Sequence, residues 1–250
     1  MNGWVGKFLG RYQVVELLGE GGMATVYKAV DTRLDREVAI KAIRSEDFPP
    51  SQAERLRKRF DREARVLAQL THTNIVPIID YGEHEGAPYL VMPYLPGGAL
   101  KRREKGMPWR EALRLVLPIA DALAYAHAHG ILHRDVNPSN ILMTETGLPM
   151  LSDFGIARLL EDESGHTLTG TGGIGTPGYM APEQVVGSKG LDVRADVYSL
   201  GVVLYELVAG RMPFEAERPS GILLKQMTEA PPPLGQVVKD IPPKPLQPLT

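Results

Sequence analysis

The sequence has no cysteine. That removes disulfides, thiolate zinc sites and cysteine nucleophiles together, and it fits a reducing compartment. Charge of one sign is also lacking. The 28 Lys and Arg nearly cancel the 30 Asp and Glu, for a formal net charge of −2, so there is no electrostatic case for binding nucleic acid or a membrane surface. Long apolar runs are missing too. The longest, Leu200 to Gly210, is broken by Glu206 and is too short to span a bilayer. Met1 to Gly10 carries a single lysine and no sustained apolar stretch, so it does not read as a signal peptide. These absences point to a cytoplasmic chain without a membrane segment. What remains is ordinary for a globular protein: 250 residues, 43% hydrophobic and 23% charged, enough for a sizeable core as one domain or two lobes.

Chemistry-bearing residues concentrate in Ile131-Leu132-His133-Arg134-Asp135-Val136-Asn137-Pro138-Ser139-Asn140-Ile141-Leu142, followed by Leu151-Ser152-Asp153-Phe154-Gly155. An apolar pair enters a polar loop, a second apolar run leaves it, and a tight Asp-Phe-Gly turn follows. Short strands on that pattern present Asp135, Asn140 and Asp153 from one edge. Two carboxylates and an amide oxygen are hard ligands suited to Mg²⁺, which takes few protein oxygens and leaves positions for water and phosphate. Asp135 is placed to accept a proton from an attacking hydroxyl. Any one of these residues alone could equally well close a turn; their order favours a metal and phosphate site.

The N-terminal third reads as strands. Tyr12–Leu18 and Val26–Val30 flank Gly19-Glu20-Gly21-Gly22-Met23-Ala24, a loop whose backbone N–H groups can approach an anion without side-chain obstruction. Because it joins strand to strand, it is not a dinucleotide-binding fingerprint; a turn that merely closes a hairpin stays open. Glu37–Ile43 alternates, with Val38 and Ile40 on one face and Ala39 and Lys41 on the other. Ser51-Gln52-Ala53-Glu54 is a capping box that starts a helix running to about Leu70. Glu63 falls in the middle of its apolar stripe of Leu56, Phe60, Leu67 and Leu70. A buried unpaired charge is costly, so Glu63 is expected to pair with Lys41 on the facing strand. The alternative is an exposed Glu63 on an irregular face and a solvated Lys41.

Further on, Tyr89–Met92 reads as a strand leading into Pro93-Tyr94-Leu95. Pro108 to about His129 reads as a helix with Leu113, Val116, Leu117, Ala120, Leu123, Ala124 and His127 on its core face and Pro118 as an internal irregularity. Ile156 to Ile174 is a long loop of the kind that is usually functional. Ala195–Leu207 is apolar on most sides and reads as a buried central helix stopped by Gly210. Asp196 at its start can accept N–H groups from the His133–Asp135 loop.

His133-Arg134-Asp135 with Asn140, followed by Asp153-Phe154-Gly155, resembles the catalytic and metal-binding segments of protein kinases. Gly21-Gly22-Met23-Ala24-Thr25-Val26-Tyr27 and Gly175 to Glu183 are most similar to the bacterial eukaryotic-like serine/threonine kinases, and the likeness runs from about Tyr12 to Pro243. The resemblance implies an α+β, two-lobed fold: an antiparallel-sheet N-lobe over residues 1–93 and a mainly helical C-lobe over 94–250. It implies transfer of the γ-phosphoryl of ATP, with Mg²⁺ or alternatively Mn²⁺, to protein Ser or Thr hydroxyls. It assigns Asp135, Lys41, Asn137 and Thr176 to catalysis, and Asn140 and Asp153 to the metal. Nucleotide contacts fall to Leu18, Gly19, Glu20, Gly21, Gly22, Met23, Ala24, Val26, Ala39, Lys41, Glu63, Met92, Pro93, Leu95 and Leu142. Arg134 is expected to receive a phosphorylated loop residue, with Thr169 and Thr171 as candidates and Thr167 behind them.

There are departures. Ala24 stands for a third glycine, a mild change if φ stays negative there. Asn137 stands where the family has a lysine that reaches the transferred phosphoryl, and loss of one such donor costs on the order of 10²–10³ in rate. The Pro-rich end after Ile241 and the missing Arg partner of Glu183 suggest that the last helices of the fold are absent, with exposed apolar surface on the C-lobe and lower stability. Two rival readings follow: a nucleotide-binding pseudokinase scaffold, supported by Asn137, and a small-molecule phosphotransferase, disfavoured by the Thr176–Glu183 segment.

Overall fold

The computed structural model describes residues 3–21, 24–44, 50–101, 104–154, 176–187 and 190–238, with the side chains of 50–53 outside that description. Six strands form one antiparallel sheet: β1 (Phe8–Leu9), β2 (Tyr12–Glu20), β3 (Ala24–Asp31), β4 (Arg36–Ile43), β5 (Asp80–His84) and β6 (Ala87–Pro93), in the order β1-β2-β3-β4-β6-β5. The period-2 alternation of β4 sends its side chains to two cores. Val38, Ile40 and Ala42 join an outer cluster with Tyr12, Tyr27 and Tyr89, and Ala39 and Ile43 join an inner one. Trp4 closes the outer cluster, stacked on Tyr27 and edge-on to Tyr89. The Tyr12 hydroxyl donates to Asp80 Oδ2 at 2.8 Å, which ties β2 to the far edge strand β5. Burial and that carboxylate together push the Tyr12 phenol up to about 12.

Helix α1 (Pro50–Leu67) lays Leu56, Phe60 and Ala64 on the inner face of the sheet. The capping box proposed at Ser51 lies on side chains outside the description. Beyond the sheet, α2 (Trp109–Ala128) packs against α4 (Val193–Ala209). The core face of α2 differs from the sequence expectation: Ala112, Val116, Ile119, Ala122, Leu123 and Ala126 are buried, whereas Leu117 is 60% exposed. Small residues permit the close helix approach, so the alanines turn inward and Leu117 outward. Helix α4 is buried on nearly every side and ends at Gly210 in the left-handed conformation (φ 72°). A Cβ there would sit 2.4 Å from the Glu104 carbonyl oxygen, so only glycine fits.

Between α2 and α4 lie the 3-10 turn Pro138–Asn140, the ribbon of β7 (Ile141–Met143) and β8 (Pro149–Leu151), a second 3-10 turn at Pro177–Tyr179, and α3 (Pro182–Val185). Helices α5 (Pro219–Thr228) and α6 (Leu234–Val237) follow. The ribbon joins the two parts of the molecule. Leu151 N donates to Asn74 O at 2.8 Å, and Val76 N donates to Leu151 O at 2.9 Å. Val186, Val197 and Leu224 present exposed apolar surface on the helical part. Among the described residues, no helix is long and apolar enough to cross a membrane.

Candidate active site

The loop from His133 is held from beneath by Asp196. Its carboxylate accepts the backbone N–H groups of His133 at 2.8 Å and Arg134 at 2.7 Å, and His127 Nε2 lies 2.8 Å away. Asp196 is only 1% exposed, and three donors are what keeps so deeply buried a carboxylate tolerable. His127, read from the sequence only as a core position, belongs to this anchor. His133 is fully buried, and its ring is fixed from both sides. Asp135 N donates to Nδ1 at 3.2 Å, which leaves Nε2 to donate to the Ser152 carbonyl at 2.7 Å. These two bonds fix the orientation of the ring and select one tautomer. Its edge meets the Phe154 ring at 4.7 Å.

Asn140 is bonded to Asp135, and Asp153 directly follows Ser152, which is bonded to Asn140. Asn140 Nδ2 donates to the Asp135 carbonyl at 2.8 Å and to Asp135 Oδ2 at 2.9 Å. The other carboxylate oxygen, Oδ1, accepts Thr176 N at 3.2 Å, so Thr176 reaches Asp135 through its backbone. Ser152 N donates to the Asn140 carbonyl at 2.8 Å, which keeps the following Asp153 beside the loop. Arg134 (φ 69°) and Asp153 (φ 67°) both adopt the left-handed conformation, which side-chain-bearing residues hold only where their surroundings enforce it. Since the described bonds of Asn140's side chain use its nitrogen, its amide oxygen remains as a hard donor, beside an Asp153 carboxylate whose Oδ2 also contacts Lys41 Nζ at 2.8 Å. That pair fits a divalent cation of the Mg²⁺ type.

Two expectations are corrected. Lys41 does not pair with Glu63. Lys41 Nζ lies 2.8 Å from Asp153 Oδ2, and Glu63 pairs with Arg62 at 2.9 Å. Asp153 is the carboxylate within reach of Lys41 across the cleft, while Arg62 supplies Glu63 with a cation from its own helix. Asn137 is buried in the loop rather than free. It is 2% exposed, its oxygen accepts Ser139 N at 2.9 Å, and its nitrogen donates to the Asp135 carbonyl at 3.1 Å. Its side chain is consumed in capping the 3-10 turn and bracing the loop, which argues against the catalytic role expected of it.

With this geometry in view, the family model described as the protein kinase domain matches residues 12–242. The chain belongs to the protein kinase family. It is 43% identical over 245 residues to the serine/threonine-protein kinase PksC of Streptomyces coelicolor, a match covering 94% of this chain and 43% of that protein. It is 42% identical over 226 residues to the DNA damage-responsive serine/threonine-protein kinase RqkA of Deinococcus radiodurans, covering 88% of this chain and 33% of the relative. The chain thus spans less than half the length of these curated relatives. The crystal structure of a single-site mutant of the Mycobacterium tuberculosis PknI kinase domain superposes with a TM-score of 0.69 at 31% identity, covering 94% of this chain and 84% of that one.

Other residues expected at the site lie on the sheet and its inner core. Ala24, Ala39 and Met92 share the inner core, with Leu95 and Leu142 packed against it, and Ala39 pairs with Met92 in the sheet while Val38 pairs with Pro93. Ala24 is not among the described residues with positive φ, which is why alanine is tolerated where a glycine was expected. Leu18 is exposed and Val26 half-buried. Gly19 pairs with Val26 and Glu20 with Thr25, and Arg44 Nη1 contacts both Glu20 Oε1 and the Gly21 carbonyl at 3.3 Å. That arginine clasp on the glycine turn carried no sequence signal, nor did the ammonium of Lys28 lying 4.5 Å over the Tyr94 ring. Gly22, Met23, Thr167, Thr169 and Thr171 lie outside the described residues.

Proposed function

We propose that the chain is a protein serine/threonine kinase that transfers the γ-phosphoryl of ATP to Ser and Thr hydroxyls, its own included. The observation that carries this reading is the double tether of Asp135, whose Oδ2 is bound by the Asn140 amide and whose Oδ1 is bound by Thr176 N–H. One carboxylate thereby links the metal-donor side of the cleft to the segment that faces a substrate.

In this reading the acceptor hydroxyl lies against Asp135, which orients it and takes its proton as the oxygen bonds to the γ-phosphorus. The bond from that phosphorus to the bridging oxygen breaks, and its electron pair leaves with ADP. Asn140 and Asp153 hold the divalent cation, Mg²⁺ by preference and Mn²⁺ as the alternative; when bound it neutralises charge on the phosphates. Lys41 holds the α- and β-phosphates, and Glu63 is its partner once the Lys41–Asp153 pair opens. Leu18 to Ala24 and Val26 cover the phosphates. Ala39, Met92 and Leu142 sandwich the adenine, with the Pro93 carbonyl and the Leu95 N–H at its edge, since Pro93 has no N–H to offer. The lobes divide after Pro93. The partners are protein substrates and ATP, without nucleic acid, and the compartment is the cytoplasm.

Incubation of the purified chain with γ-labelled ATP and Mg²⁺ tests the reading. Label is expected on Ser or Thr of the chain or of an added protein, and it disappears in Asp135→Ala. No labelling of either, with ATP bound, would instead support the scaffold reading.

A further inference from the structure

The peptide group that joins Arg134 to Asp135 is held at both ends. Its N–H donates to His133 Nδ1 at 3.2 Å, and its carbonyl accepts Gln184 Nε2 at 2.9 Å. The same Gln184 side chain uses its oxygen to accept Ala181 N at 2.9 Å. A single amide in α3 thus joins the backbone of the catalytic loop to the backbone of the Thr176–Ala181 segment. The grip falls where it matters: Arg134 is in the left-handed conformation (φ 69°), and any net rotation of the plane that follows redirects the Cα–Cβ bond of Asp135. The next carbonyl, that of Asp135, is taken by Asn140 and Asn137, so both peptide planes flanking Asp135 are held by side-chain amides.

We propose that Gln184 is a positioning residue for Asp135. Its amide locks the peptide plane ahead of the base, and it does so only while the Ala181 segment is docked, so that one side chain sets both the aim of the base and the seating of the substrate-facing segment. The proposal rests on the reading of Asp135 as the base. A glutamine that merely stabilised the helical part would be indifferent to what stands at position 135.

The test uses the whole chain with Gln184→Glu, which keeps the acceptor for Ala181 N but has no donor for the Arg134 carbonyl, and Gln184→Met, which has neither. Expected is a loss in kcat of about tenfold, the scale of a small misplacement of a reacting group, with the KM for ATP within about twofold. In an Asp135→Asn background the same substitutions are expected to cause no further loss, because a residue acting only through Asp135 has nothing left to act on. Equal losses in both backgrounds, or an unchanged kcat, overturn the proposal. Amide hydrogen exchange at Asp135 gives a reading that needs no activity. It is expected to speed up about fivefold in Gln184→Glu, the equivalent of one hydrogen bond, with exchange in α4 unchanged. If the wild type transfers no phosphate, the kinase reading fails by itself; unchanged exchange at Asp135 defeats the positioning role in either case.

Discussion

Lys41 and Asp153 face each other across the cleft with Nζ 2.8 Å from Oδ2, both side chains largely shielded from solvent. The arrangement satisfies each charge with the other, and it leaves Glu63, 14% exposed at its side chain, with Arg62 as its cation. On the proposed reading Lys41 exchanges Asp153 for Glu63 when nucleotide binds, and Arg62, which holds Glu63 at 2.9 Å, competes with it for that carboxylate.

Removing that competitor shifts the balance. Arg62→Ala is expected to free Glu63 for Lys41 and to tighten ATP binding by up to about fivefold, the most that a partly exposed ion pair is usually worth. Titration of a fluorescent ATP analogue measures it, and weaker binding in the variant contradicts the account.

Asn137 gives opposite effects on stability and rate. Asn137→Lys loses the bonds to Ser139 N and the Asp135 carbonyl, a cost of about 1–2 kcal/mol, while its ammonium can reach out of the loop toward the phosphates. Thermal melting is expected to drop and the transfer rate per folded molecule to rise. A variant at least as stable as the wild type, or slower, contradicts this.

Asp196 should be among the least tolerant positions in the helical part. In Asp196→Asn an NH₂ group replaces an oxygen that accepts backbone N–H groups, leaving buried donors facing a donor. Loss of a buried charged partner of this kind costs about 3–5 kcal/mol, whereas His127→Leu removes only one of three donors and costs about 1–3 kcal/mol. Denaturant unfolding of the two variants gives the ranking, and equal losses would contradict it.

The Tyr12 phenol supplies a dependence on alkaline pH. Burial, then the hydrogen bond to Asp80, raises it to about 12 from an ordinary value of 10.0. A raised value means that the folded state holds the proton more tightly, so this contribution is complete below pH 10 and is lost as the pH rises towards 12. Tyr12→Phe is expected to flatten the fall in melting temperature over that interval. An unchanged slope would place the alkaline sensitivity elsewhere.

How much of this was legible in the sequence follows from how local each feature is. The alternation of Val38 to Lys41 and the stop at Gly210 are written in adjacent residues, and the structure brings them where the pattern points; the His133–Asn140 loop is equally local, and there Asn140 is bonded to Asp135. Choice of partner is not local. Whether Lys41 meets Glu63 or Asp153 depends on how closely α1 approaches β4, and Arg62 reads in sequence as one more solvated helix residue. Hydrophobicity ranks Leu117 above alanine for the inner face of α2, whereas the structure buries Ala112, Ala122 and Ala126 and leaves Leu117 exposed. Asn137 looked like a weakened lysine because only the three-dimensional loop reveals both ends of its amide in use. Trp4 and Gln184 act through contacts with distant rings or backbone, which no periodicity announces.

The most direct test of the account separates binding from chemistry at Asp135. Affinity for Mg·ATP and transfer of γ-phosphate to Ser or Thr are to be measured in parallel for the wild type, Asp135→Ala and Asp153→Ala. The account predicts that Asp135→Ala binds Mg·ATP about as well as the wild type yet transfers nothing, while Asp153→Ala loses affinity and transfer together. Transfer that persists in Asp135→Ala would contradict it.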